Sequence, residues 1–161
     1  ILDVYNHSEY LKKNTHFLVV GSGNTSLVSH LKEKVREYKL DSIVTFTGYL
    51  PGDSKNIIAG FDILLMPTID FEGFGYSMAE GMAASVPVVA SNVGAIPEVI
   101  EDGISGLLIE PSDIEGWSIC LERLAKDKNK RNQIGIAAKE RIQKEFSAKK
   151  MSQLYFDYIS A

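Results

Sequence analysis

The chain has 161 residues, of which 45% are apolar and 24% charged, and its formal net charge is −4. That is the balance of one globular domain, long enough to bury a sizeable core. Net acidity without a concentrated basic stretch excludes a nucleic-acid-binding surface, and no apolar run approaches the roughly 20 residues that span a bilayer.

In chain order, short β-branched runs alternate with longer helical ones. Residues 16–20 (HFLVV) form a short apolar run ending at Gly21, read as a buried strand. Leu27, Leu31 and Val35 recur at four-residue spacing among Lys32, Glu33, Lys34 and Arg36, which predicts an amphipathic helix. Residues 43–46 are a second strand, closed by Gly48 and the Pro51–Gly52 turn, and a short helix is expected over 54–59. Residues 62–66 are a third strand stopped by Pro67, 75–84 a helix, 87–90 a fourth strand, 96–100 a helical turn and 106–109 a fifth strand. From Ser112 onward the pattern is helical. Ser112 with Glu115 reads as a capping box, and Ile114, Trp117, Leu121 and Leu124 form the stripe that follows. Cys120 sits among apolar neighbours on that helix. One thiol makes neither a disulfide nor a zinc site, so a buried inert residue and a reducing, cytoplasmic setting are expected. The basic stretch 126–131 reads as a solvated helix–helix junction, followed by helices over 130–144 and 147–158.

Five strands alternating with helices predict an α/β fold. Its sheet is Rossmann-like: doubly wound, parallel, covered by helices on both faces and followed by a helical C-terminus, all in a single domain over residues 1–161. Ligands of such sheets bind outside the carboxyl ends of the strands. Attention therefore falls on loops 21–25, 48–52, 67–75 and 91–95.

The loop GSGNT begins with Gly21 and Gly23 between a strand and a helix. Such a loop either lets backbone amides approach a phosphate or is a tight turn that needs glycine dihedrals. It fails the dinucleotide fingerprint: Ser26 stands where that pattern needs a small Gly or Ala, and Asp41 precedes the second strand instead of ending it. A nicotinamide-dependent oxidoreductase is disfavoured accordingly. The segment from Glu72 through Gly73, Phe74, Gly75, Tyr76 and Ser77 to Glu80 holds more. Its two glycines permit close backbone approach, and it feeds a helix N-terminus whose amides and dipole favour an anion. Glu72 and Glu80 flank those donors, and carboxylates accept hydrogen bonds from paired hydroxyls. Together they suit a sugar–diphosphate–nucleoside; alternatively both acids simply complement the helix dipole.

The Glu72–Glu80 spacing resembles the E-x7-E donor motif of family 4 retaining glycosyltransferases, which have the GT-B fold. The stretch VTFTGYLP at 44–51 resembles that family's V-x-F-x-G strand. EGMAASVPVVAS at 80–91 resembles E-A-M-A-x-G-x-P-V-V-A-S, and GAIPE at 94–98 and DGISGLL at 102–108 resemble its G-G-x-x-E and D-G-x-x-G-L-L. The matches run through nearly the whole chain in the right order.

The resemblance implies a C-terminal, donor-binding half, with the acceptor-binding N-terminal half outside this sequence. It implies transfer of a hexosyl group, with retention, from a nucleotide-sugar (UDP- or GDP-sugar) to a glycan or glycolipid. No cofactor or metal is implied beyond the donor, and a peripheral association of the full-length protein with the cytoplasmic face of a membrane is compatible with it. Glu72, the residue assigned to the catalytic centre, would contact donor-sugar hydroxyls without acting as a nucleophile. The amides of Phe74 to Ser77 would hold the diphosphate, Glu80 the ribose, and Gly48, Tyr49 and Leu50 would lie near the base, with Gly21 and Gly23 in the glycine loop. The family's phosphate-binding Arg and Lys have no counterparts here, so the fragment alone is expected to be inactive. A non-catalytic GT-B-like subunit that binds a nucleotide or a partner is the alternative. Gly81, Ser85 and Ala95 depart from the family pattern as small-for-small changes. His7, His16 and His30 lack metal-ligand spacing. Tyr5, Tyr10, Tyr155 and Tyr158 read as packing residues, those at the end being exposed where the last helix would cross to the other half.

Overall fold

The computed structural model describes residues 1–52 and 54–160. Contacts gather into two compact units, Ile1–Gly52 with Asp113–Asp127 and Asp53–Ser112 with Lys128–Ala161.

In the first unit, helices α1 (Leu2–His7) and α2 (Glu9–Asn14) precede strand β1 (Phe17–Val20), helix α3 (Thr25–Glu37) and strand β2 (Val44–Gly48). β1 and β2 pair in parallel, Phe17 opposite Val44 and Val19 opposite Phe46. Parallel pairing over an intervening helix is the βαβ connection expected from the sequence. The Tyr5 ring stacks on Phe17 at 5.4 Å, and Lys32 of α3 lies over Phe46, so helices cover that face of the strand pair. The opposite face is open: Leu18 and Val20 are each 41% exposed. β1 is therefore half-covered and not the fully buried strand its apolar run predicts. A continuous apolar run reports hydrophobicity, but the covering of the second face depends on what packs there.

Helices α1 and α2 escape the sequence reading. Each has only six residues, too short for a periodic stripe to declare itself. Their signal is Ser8, which accepts a hydrogen bond from the Leu11 amide at 3.1 Å as the cap of α2 and donates to Glu122 at 2.6 Å. Helix α7 (Ile114–Lys126) packs on both with Trp117, Leu121 and Leu124 buried. Its cap is Asp113, whose carboxylate accepts from the Gly116 amide at 2.8 Å, and not the Ser112 of the expected capping box. The helix starts one residue later than that box requires. Cys120 is buried, and Tyr5 is a packing residue as expected.

In the second unit, α4 (Ser54–Ile58), β3 (Leu64–Met66), α5 (Tyr76–Ala83), β4 (Val88–Ser91), α6 (Ile96–Val99) and β5 (Leu107–Ile109) follow one another. The strands form a parallel sheet in the order β3-β4-β5. All four residues of β4 are buried, which is the burial of a central parallel strand covered on both faces. Met78 and Met82 of α5, Ile96 and Val99 of α6, Ala138 and Ile142 of α8 (Lys128–Glu145) and Val88 and Ala90 of β4 make one core cluster. Each large member contributes about 1.5–3 kcal/mol by leaving water. Helix α9 (Ala148–Ile159) ends the chain, capped by Ser147, with no buried residue. Met151, Leu154, Tyr155, Phe156 and Tyr158 all stand exposed, in keeping with the exposure expected of the terminal tyrosines.

Candidate functional site

The glycine-loop candidates lie in the first unit. Gly21 takes φ +117° and Gly48 φ +66°, and the Gly21 amide donates to the Gly48 carbonyl at 2.9 Å. A Cβ at either glycine would meet nothing within 4 Å, so it is backbone conformation, not close approach, that demands glycine here. Past Gly23 the first turn of α3 is already satisfied, since the Asn24 side chain accepts from the amides of Ser26 at 2.9 Å and Leu27 at 3.4 Å. An anion at this helix start would have to displace that cap. Tyr49 is exposed and Leu50 half-buried just after β2. Asp41 lies in the turn before β2, away from a strand end.

The second set lies wholly within the second unit. After β3 and Pro67 the chain runs through an irregular loop to Gly75, which caps α5 in the left-handed region at φ +75°. No side chain caps α5, so its first-turn amides, including Tyr76 and Ser77, remain available to a ligand. This is the reverse of the situation at α3. Glu72 stands half-buried just before that turn. Its backbone carbonyl accepts from the Ala95 amide at 3.0 Å, and its own carboxylate accepts from the Gly73 amide at 3.1 Å. Glu80, one turn into α5, accepts a hydrogen bond from the Ser54 hydroxyl at 2.9 Å through Oε2. Phe74 meets Tyr76 edge-on at 5.5 Å and Phe146 at 5.8 Å. The segment 67–80 contains no Lys or Arg. The loop therefore offers open amides at a helix start between two carboxylates, with oxygen acceptors for hydroxyls on either side of a place for an anion.

Sequence reasoning misses the supports. Gly94 at φ +55° packs so closely that a Cβ there would overlap the Glu72 backbone, and Ala95 supplies the bond to Glu72. The motif residues 94–98 were legible, but their task of holding Glu72 was not, because the partner lies more than 20 residues away. Of the three small-for-small changes, Ala95 is free of strain at φ −88°. Ser85 is not: it holds φ +61°, a conformation suited to glycine. At Gly81 an alanine Cβ would lie 2.5 Å from Leu64 Cδ2. Among the described residues no group of three His, Cys, Asp or Glu gathers as a metal site, and no helix is long and apolar enough to cross a membrane.

Residues 4–127 match the model of the family described as Glycosyl transferases group 1. The chain belongs to this family. Among curated relatives, this group 1 glycosyltransferase chain is 31% identical over 135 residues to D-inositol 3-phosphate glycosyltransferase of Corynebacterium kroppenstedtii, covering 81% of this chain and 30% of that protein. It is likewise 31% identical over 130 residues to the alpha-1,3/1,6-mannosyltransferase of Dictyostelium discoideum, 81% of this chain and 31% of the relative. It therefore spans about a third of the length of these relatives. Among solved structures, Anabaena HepE in complex with UDP superposes with a TM-score of 0.90 at 22% identity, over 99% of this chain and 43% of that one. The C-terminal domain of a glycosyl transferase group 1 family protein from Francisella tularensis gives 0.77 at 26% identity, over 91% of this chain and 78% of that one. The likeness bears out the expected α/β GT-B-type fold and the resemblance that predicted it.

Proposed function

We propose that this chain is the donor-binding portion of a retaining hexosyltransferase. It holds a nucleoside-diphosphate sugar and presents it to a glycan or glycolipid acceptor bound by polypeptide beyond these residues. The observation that supports this most is the uncapped start of α5 at Gly75, set between Glu72 and Glu80. Its amides are hydrogen-bond donors aimed where phosphate charge would sit, and an anion gains there both the bonds and the helix dipole. As the bond from the anomeric carbon to the phosphate oxygen breaks, its electron pair moves onto the diphosphate. Amides already in place would stabilise that growing charge without reorganising. Glu72 would accept from donor-sugar hydroxyls and orient the ring. Glu80, one oxygen held by Ser54, would accept from the ribose hydroxyls. The roles of Gly21, Gly23, Gly48, Tyr49 and Leu50 rest on the family resemblance alone. Structures of Anabaena HepE contain UDP and UDP-glucose, which favours a uridine donor over a guanosine one. The reading needs no metal or cofactor besides the donor.

The test is calorimetric titration of the complete polypeptide with UDP, GDP, ADP and their common sugar conjugates. One nucleotide family should bind, and Glu80→Ala should weaken it about tenfold or more, the loss expected when a charged hydrogen-bond acceptor is removed. Binding without sugar transfer to any acceptor would move the protein to the non-catalytic alternative. Absence of binding would remove the donor-site reading.

A further inference from the structure

Two separate routes tie the end of α8 to the loop that presents Glu72. In the first, Arg141 Nε donates to the Val99 carbonyl at 2.6 Å and an Arg141 terminal nitrogen donates to the Glu98 carbonyl at 2.9 Å. Those carbonyls close α6, whose own last turn cannot satisfy them, and Glu101 pairs with the same guanidinium at 3.5 Å. Just upstream of α6, Gly94 packs under the Glu72 backbone and Ala95 donates to its carbonyl. In the second route, the Phe146 ring lies 5.8 Å from Phe74, and both rings pack on the core cluster of α5, α6, α8 and β4. The Arg141 guanidinium lies 6.0 Å from the Phe146 ring, so the two routes meet. Phe146 is in turn fixed in place: its amide donates to Ile142, Ser147 beside it caps α9, and Lys150 pairs with Glu145.

We infer that Arg141 and Phe146 are positioning residues for the segment Glu72 to Gly75, setting the aim of the first-turn amides of α5 without touching the donor. A glycine-flanked loop has little stiffness of its own: Gly73 and Gly75 restrict neither neighbour, and a Cβ at Gly73 would meet nothing within 4 Å. Its order must come from outside. Glu72 is held from the α6 side and Phe74 from the α8 side, so the two residues on either side of Gly73 share one frame. The role in donor binding rests on the proposed function; the mechanical coupling does not.

Amide hydrogen exchange on the complete polypeptide separates the two. Phe146→Ala should speed exchange about tenfold at Ala79, whose amide donates to the Gly75 carbonyl at 3.0 Å, and at Ala95, whose amide donates to the Glu72 carbonyl at 3.0 Å, the equivalent of losing one aromatic pair, while β4 and the second turn of α5 keep wild-type rates. Phe146→Tyr, which retains the ring, should restore the slow rates. Arg141→Gln should act first at Ala95, whose amide donates to Glu72, and it provides the test should Phe146→Ala not fold. UDP affinity should fall about tenfold in Phe146→Ala. Wild-type exchange at Ala79 and Ala95 in both variants, or a uniform acceleration throughout the second unit, would overturn the positioning role. Coupled exchange with no protection of 73–77 by UDP, GDP or ADP in the wild type would leave the frame standing and remove the donor reading.

Discussion

At the scale of single residues, backbone conformation decides more than side-chain chemistry. Ser85 sits at φ +61° in the turn between α5 and β4, where its amide donates to Met82. A non-glycine residue there costs roughly 1–2 kcal/mol, and glycine recovers most of this while losing some chain entropy. Ser85→Gly should therefore stabilise the protein by about 0.5–1 kcal/mol, read as a shift of the urea midpoint without a change in slope. Gly94 is the opposite case. Its φ of +55° and the overlap of any Cβ with the Glu72 backbone act together, so Gly94→Ala should cost about 2–3 kcal/mol and loosen the loop at Glu72. An unchanged midpoint for that variant would show that the loop relaxes freely. Both residues are small in a family pattern of small residues, and nothing in the sequence separates the strained one from the crowded one.

At the scale of elements, α5 and α8 pack closely because Gly135 of α8 faces the turn at Ser85. A Cβ at Gly135 would overlap the Ser85 carbonyl oxygen. Helix propensity alone favours Gly135→Ala by about 1 kcal/mol. The packing term wins, since overpacking a rigid backbone contact costs typically 1–3 kcal/mol and α8 has no flexible partner atom to give way. Thermal unfolding should show a lower midpoint for Gly135→Ala, and a higher one would mean that propensity dominates. The helix starts carry a second lesson: α3, α7 and α9 are capped by Asn24, Asp113 and Ser147, whereas α5 begins at Gly75 with no side chain on its amides. Capping residues are usually chosen to satisfy those amides, and at α5 their omission leaves open the amides on which the proposed donor site rests.

At the scale of the whole molecule, each unit contains carboxylates whose ionised form the fold favours. In the first, Asp3 is held below its ordinary range by the hydrogen bond from Lys34 and then by that from Tyr38, and Glu122 by Lys126 and then by Ser8. In the second, Lys150 lowers Glu145. A carboxylate whose folded pKa lies below its unfolded value contributes stability in full above about pH 5 and loses it as pH falls through the unfolded and then the folded value. These sites are open to solvent, so each contribution is small. The thermal midpoint should accordingly be level near neutrality and fall on acidification below about pH 5. Asp3→Asn should flatten part of that fall, and an unaltered acid limb in this variant would show that the Asp3 contacts do not hold in solution.

The sequence alone determined the order and type of the strands and of most helices, because apolar periodicity and glycine–proline punctuation are local signals. It also determined the family, since an ordered series of short motifs is itself a sequence property. The ends of the elements were less legible: Ser112 and Asp113 are both good caps, and only the bond to Gly116 distinguishes them. The short helices α1 and α2 were not read at all, being held by burial of Leu2, Val4 and Leu11 and by the Ser8–Glu122 bond across more than 100 residues. The candidate residues Glu72 and Glu80 could be named from their spacing. That Gly94, Ala95, Phe146 and Ser54 hold that segment was decided only by tertiary structure, because each meets it from a distant part of the chain and distance along a sequence carries no record of distance in space.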